Sequence, residues 1–415
     1  MSASGISTVG ALAAHAAQRP ANDPIFALNA EATRRAAAGE SILNSTLGAL
    51  MLDDGRLATM RTVTEALGRV PPERAAGYAP IGGDPPFLKA VIEDLLGSGA
   101  LSEQAVAVAT PGGTGALHHA VMNFLDPGQA LLTTSYFWGP YRVIAEHAGR
   151  RVETFEMLGA DLRLNVEAFA RALDEQIARQ GRALVVFNFP CHNPTGYSLD
   201  AEEWAAVASV VAESGRRAPV AFLLDHAYAR FGPEHAGGWA AQVPRLLEAA
   251  TVLFAWTASK SFCQYGARVG ALVAVHTDPE MRARISNALN YSCRATFSNC
   301  NHLGILAVTE LLTDPVLARR STEERSGLVE LLDERVRAFN DAAAATTLRY
   351  PRYEGGFFVS VFTDDGEGAA ARMREEGVYV VPGPKALRVA LCATPAGAIP
   401  RLVGALHRAV PLSGG

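Results

Sequence analysis

The chain has 415 residues, of which 49% are hydrophobic and 19% are charged, and its formal net charge is -5. This composition is typical of a folded globular protein and excludes a largely disordered chain, and the length predicts two or three domains. The charge gives no basic surface for nucleic acid, and no apolar run approaches the roughly 18 residues that cross a bilayer, so we expect neither as a partner.

The first residues and the cysteines indicate where the protein resides. Residues 1–5 carry neither the basic segment nor the apolar core of a secretory signal. The cysteines are odd in number and lack the paired spacing of metal ligands; they are Cys191, Cys263, Cys293, Cys300 and Cys392. We therefore expect reduced thiols in a cytoplasmic enzyme without a metal site.

Apolar runs in the middle of the chain predict buried strands at residues 184–189, 220–225, 252–257 and 269–275. Because these runs do not alternate with polar residues, both faces of the sheet should be covered, as in a mostly parallel sheet. An amphipathic helix starts at Ala201, with Asp200 as its expected N-cap. The pattern predicts an α/β fold whose ligands bind at the carboxyl ends of the strands.

From about residue 300 the pattern changes to a long helix followed by short strands and one further helix. The long helix should pass through Arg319 and Leu332, and alanines 342–345 are expected to be helical rather than a linker. The strands are expected at 355–361, 378–381 and 387–391, with a helix at 369–376. We predict a large domain at residues 50–300 and a smaller α/β domain made of residues 1–49 and 301–415.

The glycine-rich segment at residues 110–117 precedes a predicted helix. Free backbone N–H groups at Gly113, the hydroxyl of Thr114 and the positive end of the helix would together bind an anion. A tight turn without a ligand is the alternative, and the anion site needs a second ligand, for which Arg268 is the candidate.

Two further polar segments follow predicted strands. Asn193 precedes Pro194 in residues 190–196, which restricts its backbone and directs its amide. In residues 225–228, Asp225 can pair with the protonated pyridine nitrogen of a cofactor, and Tyr228 can hydrogen-bond a phenolic oxygen on the same ring. A simple turn and a helix-capping aspartate are the respective alternatives.

Lys260 lies between small hydroxyl residues, Thr257 and Ser259 on one side and Ser261 on the other, with Arg268 eight positions later. A lysine held near other cations and away from water loses its proton easily and attacks carbonyls. The hydroxyls and the arginine suit a phosphate monoester. The segment therefore indicates a Schiff-base lysine for pyridoxal phosphate, with a solvated lysine and an unrelated arginine as the alternative.

Arg388 lies inside the apolar strand predicted at residues 387–391. Arginine is rarely buried without a carboxylate partner, and its planar fork suits the carboxylate of a substrate. A structural salt bridge is the alternative.

Taken in chain order, the segments 110–117, 192–196, 225–228 and 259–270 resemble those of class I aminotransferases of pyridoxal phosphate fold type I. The resemblance is closest to the aspartate/aromatic amino acid branch and runs from about Asp23 to the end of the chain. It implies a large domain with a mostly parallel central sheet, a smaller α/β domain, and a homodimer with shared active sites.

The resemblance also implies a role for individual residues. Lys260 would form the Schiff base and carry the proton between Cα and the cofactor, and Asp225 would pair with the pyridine nitrogen. Tyr228 and Asn193 would hold the ring oxygen, and Asn193 would also contact the substrate. The phosphate would be held by Gly113, Thr114, Thr257, Ser259 and Arg268.

The remaining implied roles concern the substrate side and the neighbouring subunit. Trp138 would stack on the cofactor and contact the substrate, although a core tryptophan is the alternative. Tyr78 would reach the phosphate of the partner subunit's cofactor. Arg388 would bind the α-carboxylate, and Gly48 would belong to the loop beside the substrate.

Arg294 resembles the arginine with which dicarboxylate-using members receive a distal carboxylate across the dimer interface; a solvated arginine is the alternative. Two departures bear on the substrate side. Cys300 and Asn301 stand where the family often has prolines, and the loop at residues 47–51 lacks the usual aromatic residue.

The implied reaction is a ping-pong transamination of aspartate or an aromatic amino acid, with 2-oxoglutarate as the acceptor. Another fold type I enzyme, either a C–S lyase or a decarboxylase, is the alternative, followed by a regulatory protein that binds the cofactor. Formation of glutamate indicates a transferase, whereas free ammonia and pyruvate indicate a lyase.

Overall fold

The computed structural model describes residues 11–19 and 24–410. The expected absence of a signal at residues 1–5 and the start of the resemblance at Asp23 lie outside these ranges. The ends of the predicted small domain, residues 1–10 and 411–415, lie outside them as well.

The strands alternate with helices through the middle of the chain and are short near both ends. In chain order they are β1 (Leu43–Asn44), β2 (Ala105–Pro111), β3 (Ala130–Thr134), β4 (Arg151–Phe155), β5 (Ala183–Phe187), β6 (Val220–Asp225), β7 (Ala250–Thr257), β8 (Val269–Val275), β9 (Phe358–Phe362), β10 (Val378–Tyr379), β11 (Val381–Pro382) and β12 (Ala386–Ala390).

The helices flank these strands, and among the described residues no helix is both long and apolar enough to cross a membrane. In chain order they are α1 (Ala14–Ala17), α2 (Pro24–Ala37), α3 (Arg61–Arg69), α4 (Pro72–Ala76), α5 (Pro85–Leu96), α6 (Ala100–Glu103), α7 (Gly112–Phe124), α8 (Pro140–His147), α9 (Val166–Gln180), α10 (Ala201–Gly215), α11 (Val243–Leu246), α12 (Ala258–Ser261), α13 (Pro279–Thr296), α14 (His302–Thr313), α15 (Pro315–Ala344), α16 (Gly366–Glu375) and α17 (Ile399–Ala409).

The central sheet has the strand order β2-β8-β7-β6-β5-β3-β4. All neighbouring pairs are parallel except those of β8, which runs antiparallel to both β2 and β7. The prediction of an α/β fold with a mostly parallel sheet is therefore confirmed. β8 is reversed because residues 258–268, which join it to β7, are fewer than the dozen or more that a parallel crossover needs.

The carboxyl ends of the neighbouring strands lie at one edge of this sheet. Leu224 of β6 is in register with both Phe187 of β5 and Phe254 of β7. Residues that directly follow β5, β6 and β7 are therefore brought together, as expected for a ligand site in an open α/β sheet. Helix α7 begins at the same edge, directly after β2.

Helix α10 begins as the sequence predicts. The Asp200 carboxylate accepts a hydrogen bond from the N–H of Glu203 at 2.9 Å, and the Glu203 carboxylate accepts one from the N–H of Asp200 at 2.9 Å. This reciprocal capping satisfies two backbone donors at the start of the helix.

A second, smaller sheet has the antiparallel order β11-β12-β9. The strand predicted at residues 378–381 is divided in the structure. Its first half, β10, pairs in parallel with β1 near the N-terminus, and β11 pairs with β12. The residues before Leu50 thus contribute a strand to the C-terminal part of the chain, while the division of domains at residue 300 stays a prediction.

Arg335 of α15 links the segment at residues 51–53 to the segment that follows β12. Its side chain is 0% exposed. The guanidinium donates to the carbonyl oxygens of Cys392 at 2.9 Å and Met51 at 2.8 Å, and to the Asp53 carboxylate at 2.6 Å. The arginine thus supplies hydrogen bonds to two backbone carbonyl oxygens that lie outside long regular structure, in addition to its ion pair with Asp53.

We predict that Arg335→Ala lowers the free energy of unfolding by about 3 kcal/mol, because it removes a fully buried side chain together with its hydrogen bonds to Cys392, Met51 and Asp53. Urea denaturation of the wild type and the variant measures the difference. Arg56→Ala is the matched control, since Arg56 is 77% exposed and its contact with Asp54 at 2.7 Å should contribute less than about 1 kcal/mol. Equal losses in the two variants would contradict the assigned role of Arg335.

Candidate active site

Lys260 lies in α12, directly after the carboxyl end of β7. Its Nζ donates to the carbonyl oxygen of Gly48 at 2.6 Å and lies 4.4 Å from the centre of the Tyr265 ring. Burial is the main cause that lowers the pKa of Lys260 to about 8, and the positive charges of Arg268 and Arg388 contribute to this shift. The amine is therefore a stronger nucleophile near neutral pH than an ordinary lysine.

The candidate phosphate ligands converge beside this lysine. Thr257 Oγ1 donates to Ser259 Oγ at 2.9 Å, and Arg268 Nη1 lies 3.3 Å from the same Ser259 oxygen. Across from them, Gly113 and Thr114 form the first turn of α7. Hydroxyls, a guanidinium and the N-terminus of a 13-residue helix make a site for a dianion.

Gly112, which precedes the predicted ligand Gly113, is needed for this arrangement. Its φ is +68°, and a Cβ atom there would overlap the Arg268 guanidinium. Glycine therefore allows the arginine to approach the backbone at the start of α7, where Arg268 Nη2 donates to the carbonyl oxygen of Pro111 at 3.2 Å.

Asp225 ends β6 as a buried carboxylate. The pKa of Asp225 is raised to about 6, because burial raises it more than the hydrogen bonds from Tyr141 and the N–H of Ala227 and the charge of Lys260 lower it. Tyr141 Oη donates to Asp225 Oδ2 at 2.7 Å. A cationic group placed against this carboxylate would relieve the cost of its burial.

Asn193 and Tyr228 meet near the same edge of the sheet. Asn193 Nδ2 donates to Tyr228 Oη at 3.1 Å. The backbone N–H of Asn193 donates to Asn188 Oδ1 at 2.8 Å, and Asn188 Nδ2 donates to the carbonyl oxygen of Asp225 at 2.9 Å. Asn188 thus fixes the loop that carries Asn193 to the strand end that carries Asp225.

A cavity of about 400 Å³ joins these groups. Of the predicted residues, those that line it are Gly48, Gly113, Thr114, Trp138, Asn193, Asp225, Tyr228, Thr257, Ser259, Lys260, Arg268 and Arg388. Apolar side chains complete the lining, among them Ile25, Phe26, Leu47, Leu117 and Phe358. The structure therefore brings most of the predicted site together in one place.

Arg388 of β12 is held at this cavity by the N-terminal segment and by an aromatic ring. Its Nη2 donates to the carbonyl oxygen of Thr46 at 2.7 Å, and its Cζ lies 4.6 Å from the centre of the Phe358 ring. These contacts orient the guanidinium at the cavity.

Tyr78 and Arg294 do not line the cavity. Tyr78 is 93% exposed. Arg294 lies in the last turn of α13, where its Nη1 donates to Ser298 Oγ at 3.3 Å. Their expected roles concern a neighbouring subunit, so they stay predictions.

Three residues with clear roles in the site were missed from the sequence: Tyr141, Asn188 and Tyr265. Asn188 directly follows the apolar residues 184–187, just as Asp225 follows residues 220–224, and that shared position was an available signal. Tyr265 lies within the lysine segment, and its hydroxyl accepts a hydrogen bond from the N–H of Leu50 at 2.9 Å. Tyr141 lies on α8, 84 residues from Asp225 in sequence, and no local pattern links the two.

Comparison with known proteins identifies aminotransferases both by family and by individual relatives. Residues 46–406 match the family described as aminotransferase class I and II. An aromatic-amino-acid aminotransferase of Paracoccus denitrificans is 30% identical over 338 residues, which are 79% of this chain and 83% of that protein.

Two solved structures are also similar. An aminotransferase from Anaerococcus prevotii has a TM-score of 0.91 and 30% identity, covering 97% of this chain and 100% of that one. An aromatic-amino-acid aminotransferase from Burkholderia pseudomallei, covalently bound to pyridoxal phosphate, has a TM-score of 0.78 and 26% identity, covering 96% and 100%.

The lowered pKa of Lys260 can be measured directly in protein whose Lys260 amine has been freed of any covalently bound group. We predict that reductive methylation of Lys260 reaches half its maximal rate near pH 8, because the neutral amine is the reactive form. Peptide mass mapping over a pH series follows each lysine, with the exposed Lys89 and Lys385 as internal references. A midpoint near the ordinary value of 10.5 for Lys260 would contradict the effect of burial.

Proposed function

The chain belongs to the class I and II aminotransferases, and on that premise we propose how its residues carry out the reaction and which substrates it takes. It is a pyridoxal-phosphate-dependent amino acid aminotransferase of fold type I, in the branch that includes aromatic amino acid enzymes. The residue roles, the substrate preference, the homodimer and a cytoplasmic location are the parts that we propose.

The donor set of the cavity fits pyridoxal phosphate. The cofactor presents a phosphate, a pyridine nitrogen, a phenolic oxygen and a carbonyl carbon. The turn at Gly113 with Arg268 suits the phosphate, the buried carboxylate of Asp225 suits a protonated nitrogen, and the paired donors Asn193 and Tyr228 suit the oxygen. The amine of Lys260 completes the set as the group that would hold the cofactor covalently.

When bound, the cofactor withdraws electron density from the substrate, so that the Cα–H bond becomes acidic. Lys260 would then act as the base that takes the proton from the substrate Cα and delivers it to the cofactor. Its lowered pKa suits this task, because a base with a pKa near 8 is available unprotonated and remains basic enough to accept the proton. The aromatic rings of Tyr265 and Phe357 around Nζ limit the access of water.

Asp225 would pair with the ring nitrogen of the cofactor, and Tyr141 supports Asp225 through a hydrogen bond. The hydrogen bond from Tyr141 favours the ionised carboxylate against the cost of burial. The ionised carboxylate in turn keeps the nitrogen protonated. Arg388 binds the α-carboxylate of the amino acid and thereby orients the Cα–H bond toward Lys260.

The observation that carries this proposal is the convergence of Lys260, Asp225 and Arg268 on one cavity. Each of these side chains follows or flanks a different strand end. Together they match the carbonyl, the nitrogen and the phosphate of a single cofactor.

Lys260→Ala should reduce transamination to below about a thousandth of the wild-type rate, because it removes both the covalent attachment and the base. The assay is glutamate formation from an amino acid and 2-oxoglutarate, together with the visible absorbance of covalently bound cofactor. Lys89→Ala, at an exposed position of α5, is the matched control and should keep full activity. Unchanged turnover in Lys260→Ala would refute the assignment, and ammonia with pyruvate as products would indicate a lyase.

We propose that an aromatic or other apolar amino acid is the preferred donor. Ile25, Phe26 and Leu47 line the cavity. Among the described residues of the lining, the cationic side chains are Lys260, Arg268 and Arg388, and each already has a role. A second substrate carboxylate, as in aspartate or 2-oxoglutarate, therefore requires a cation from outside the cavity.

Arg294 of a neighbouring subunit is our candidate for that cation, and it requires a homodimer with shared active sites. Tyr78 supports the same assembly, because an exposed tyrosine at 93% accessibility places an aromatic ring and a hydroxyl where a second subunit could use them. In this dimer Tyr78 would contact the phosphate of the partner's cofactor.

Arg294→Ala should lower kcat/KM for aspartate by about a hundredfold and change that for phenylalanine less than about threefold, since only aspartate has a distal carboxylate. The half-reaction of each donor, followed by absorbance without an acceptor, separates the two substrates. Arg284→Ala on the same helix α13 is the matched control and should alter neither value. Equal losses for both donors would contradict the role in specificity.

A further inference from the structure

The segment of residues 77–84, which carries Tyr78, is held at both of its ends by one imidazole. His302 Nδ1 lies 2.8 Å from the carbonyl oxygen of Gly77, and Nε2 lies 2.9 Å from Asp84 Oδ2. The side chains of His302 and Asp84 are only 13% and 14% exposed. A single side chain thus closes the base of the segment.

The interior of the segment is also packed tightly. The carbonyl oxygen of Gly82 accepts from the N–H of Ala109 at 2.7 Å, and the N–H of Gly83 donates to the carbonyl oxygen of Pro80 at 2.9 Å. A Cβ atom at Gly82 would lie 2.5 Å from Asn290 Oδ1. Tyr78 therefore projects from a fixed base, although its own ring is exposed.

The two contacts of His302 also constrain its chemistry. A carbonyl oxygen and a carboxylate only accept hydrogen bonds, so both contacts are satisfied together when both ring nitrogens carry protons.

His302 is tied to the cavity of its own subunit through the preceding residue. Asn301 Nδ2 donates to the carbonyl oxygen of Ala267 at 2.9 Å, next to Arg268. Asn301 Oδ1 accepts from the N–H of Gly304 at 3.2 Å and so caps helix α14. The two residues that begin α14 thus join the phosphate arginine of one site to the segment that carries Tyr78.

We propose that His302 is a positioning residue that presents Tyr78 to the cofactor phosphate of the neighbouring subunit. This inference rests on the proposed function, in which Tyr78 makes that contact in a homodimer. His302 itself does not touch the cofactor or the substrate, and it acts by fixing the ends of the segment at Gly77 and Asp84.

The test is a double-mutant cycle of Tyr78→Phe and His302→Ala, read out as the dissociation constant of pyridoxal phosphate. Each single variant should bind the cofactor about tenfold more weakly, because Tyr78→Phe removes the hydrogen bond to the phosphate and His302→Ala displaces the residue that makes it. The double variant should be no weaker than Tyr78→Phe alone, because without the Tyr78 hydroxyl the position of the segment no longer matters.

Conservative variants test the two contacts separately. His302→Asn keeps a donor near the position of Nδ1, and His302→Gln keeps one near Nε2, so both should restore part of the affinity that His302→Ala loses. His407→Ala, at an exposed position of α17, is the matched control and should bind the cofactor as the wild type does. Thermal unfolding and sedimentation of the proteins check that folding and assembly are kept.

The possible failures are distinguishable. If Tyr78→Phe binds the cofactor as tightly as the wild type, the proposed role of Tyr78 is wrong and the inference falls with it. If Tyr78→Phe weakens binding but His302→Ala does not, or if their effects multiply to about a hundredfold, the inference alone is wrong. A wild-type protein that binds no pyridoxal phosphate overturns the proposed function itself.

Discussion

The amine of Lys260 is buried away from water, and the groups around it determine how much this burial destabilises its charged form. Burial disfavours the charged ammonium, and Arg268 and Arg388 add repulsion. The carbonyl oxygen of Gly48 and the faces of Tyr265 and Phe357 compensate only in part. The result is a lysine that is reactive near neutral pH, and its reactivity follows from where the chain places it.

The segment at residues 46–51 connects this lysine to the rest of the site through its backbone. Thr46 accepts a hydrogen bond from Arg388, Gly48 from Lys260 and Met51 from Arg335, while Leu50 donates to Tyr265. A short piece of chain without a helix therefore contacts the candidate carboxylate ligand, the candidate base and a buried structural arginine. The segment takes part in these contacts through its backbone, so its own side chains are not needed for them.

Patterns that are local in sequence predicted the central strands, the start of α10 and the residues at strand ends, such as Asp225 and Asn193. Each of these depends on hydrophobic runs or on turn chemistry within a few residues. Tyr141 could not be found in this way, because it meets Asp225 only after α8 packs beside β6. The division of residues 378–381 depends on pairing with β1, more than 300 residues earlier. The proposed roles of Tyr78 and Arg294 require a second chain, which no local sequence pattern describes.

The hydrogen bond between Lys260 and Gly48 has a consequence for the order of events in the site. As an ammonium, Lys260 has three N–H donors and gives one of them to the Gly48 carbonyl oxygen, whereas a nitrogen double-bonded to carbon keeps at most one. Chemistry at the lysine therefore competes with the anchoring of residues 46–51, and each time the amine is released it becomes available to this backbone again. The backbone of residues 46–51 therefore competes with the reactant for Lys260, and it is held least firmly while the lysine is covalently bound.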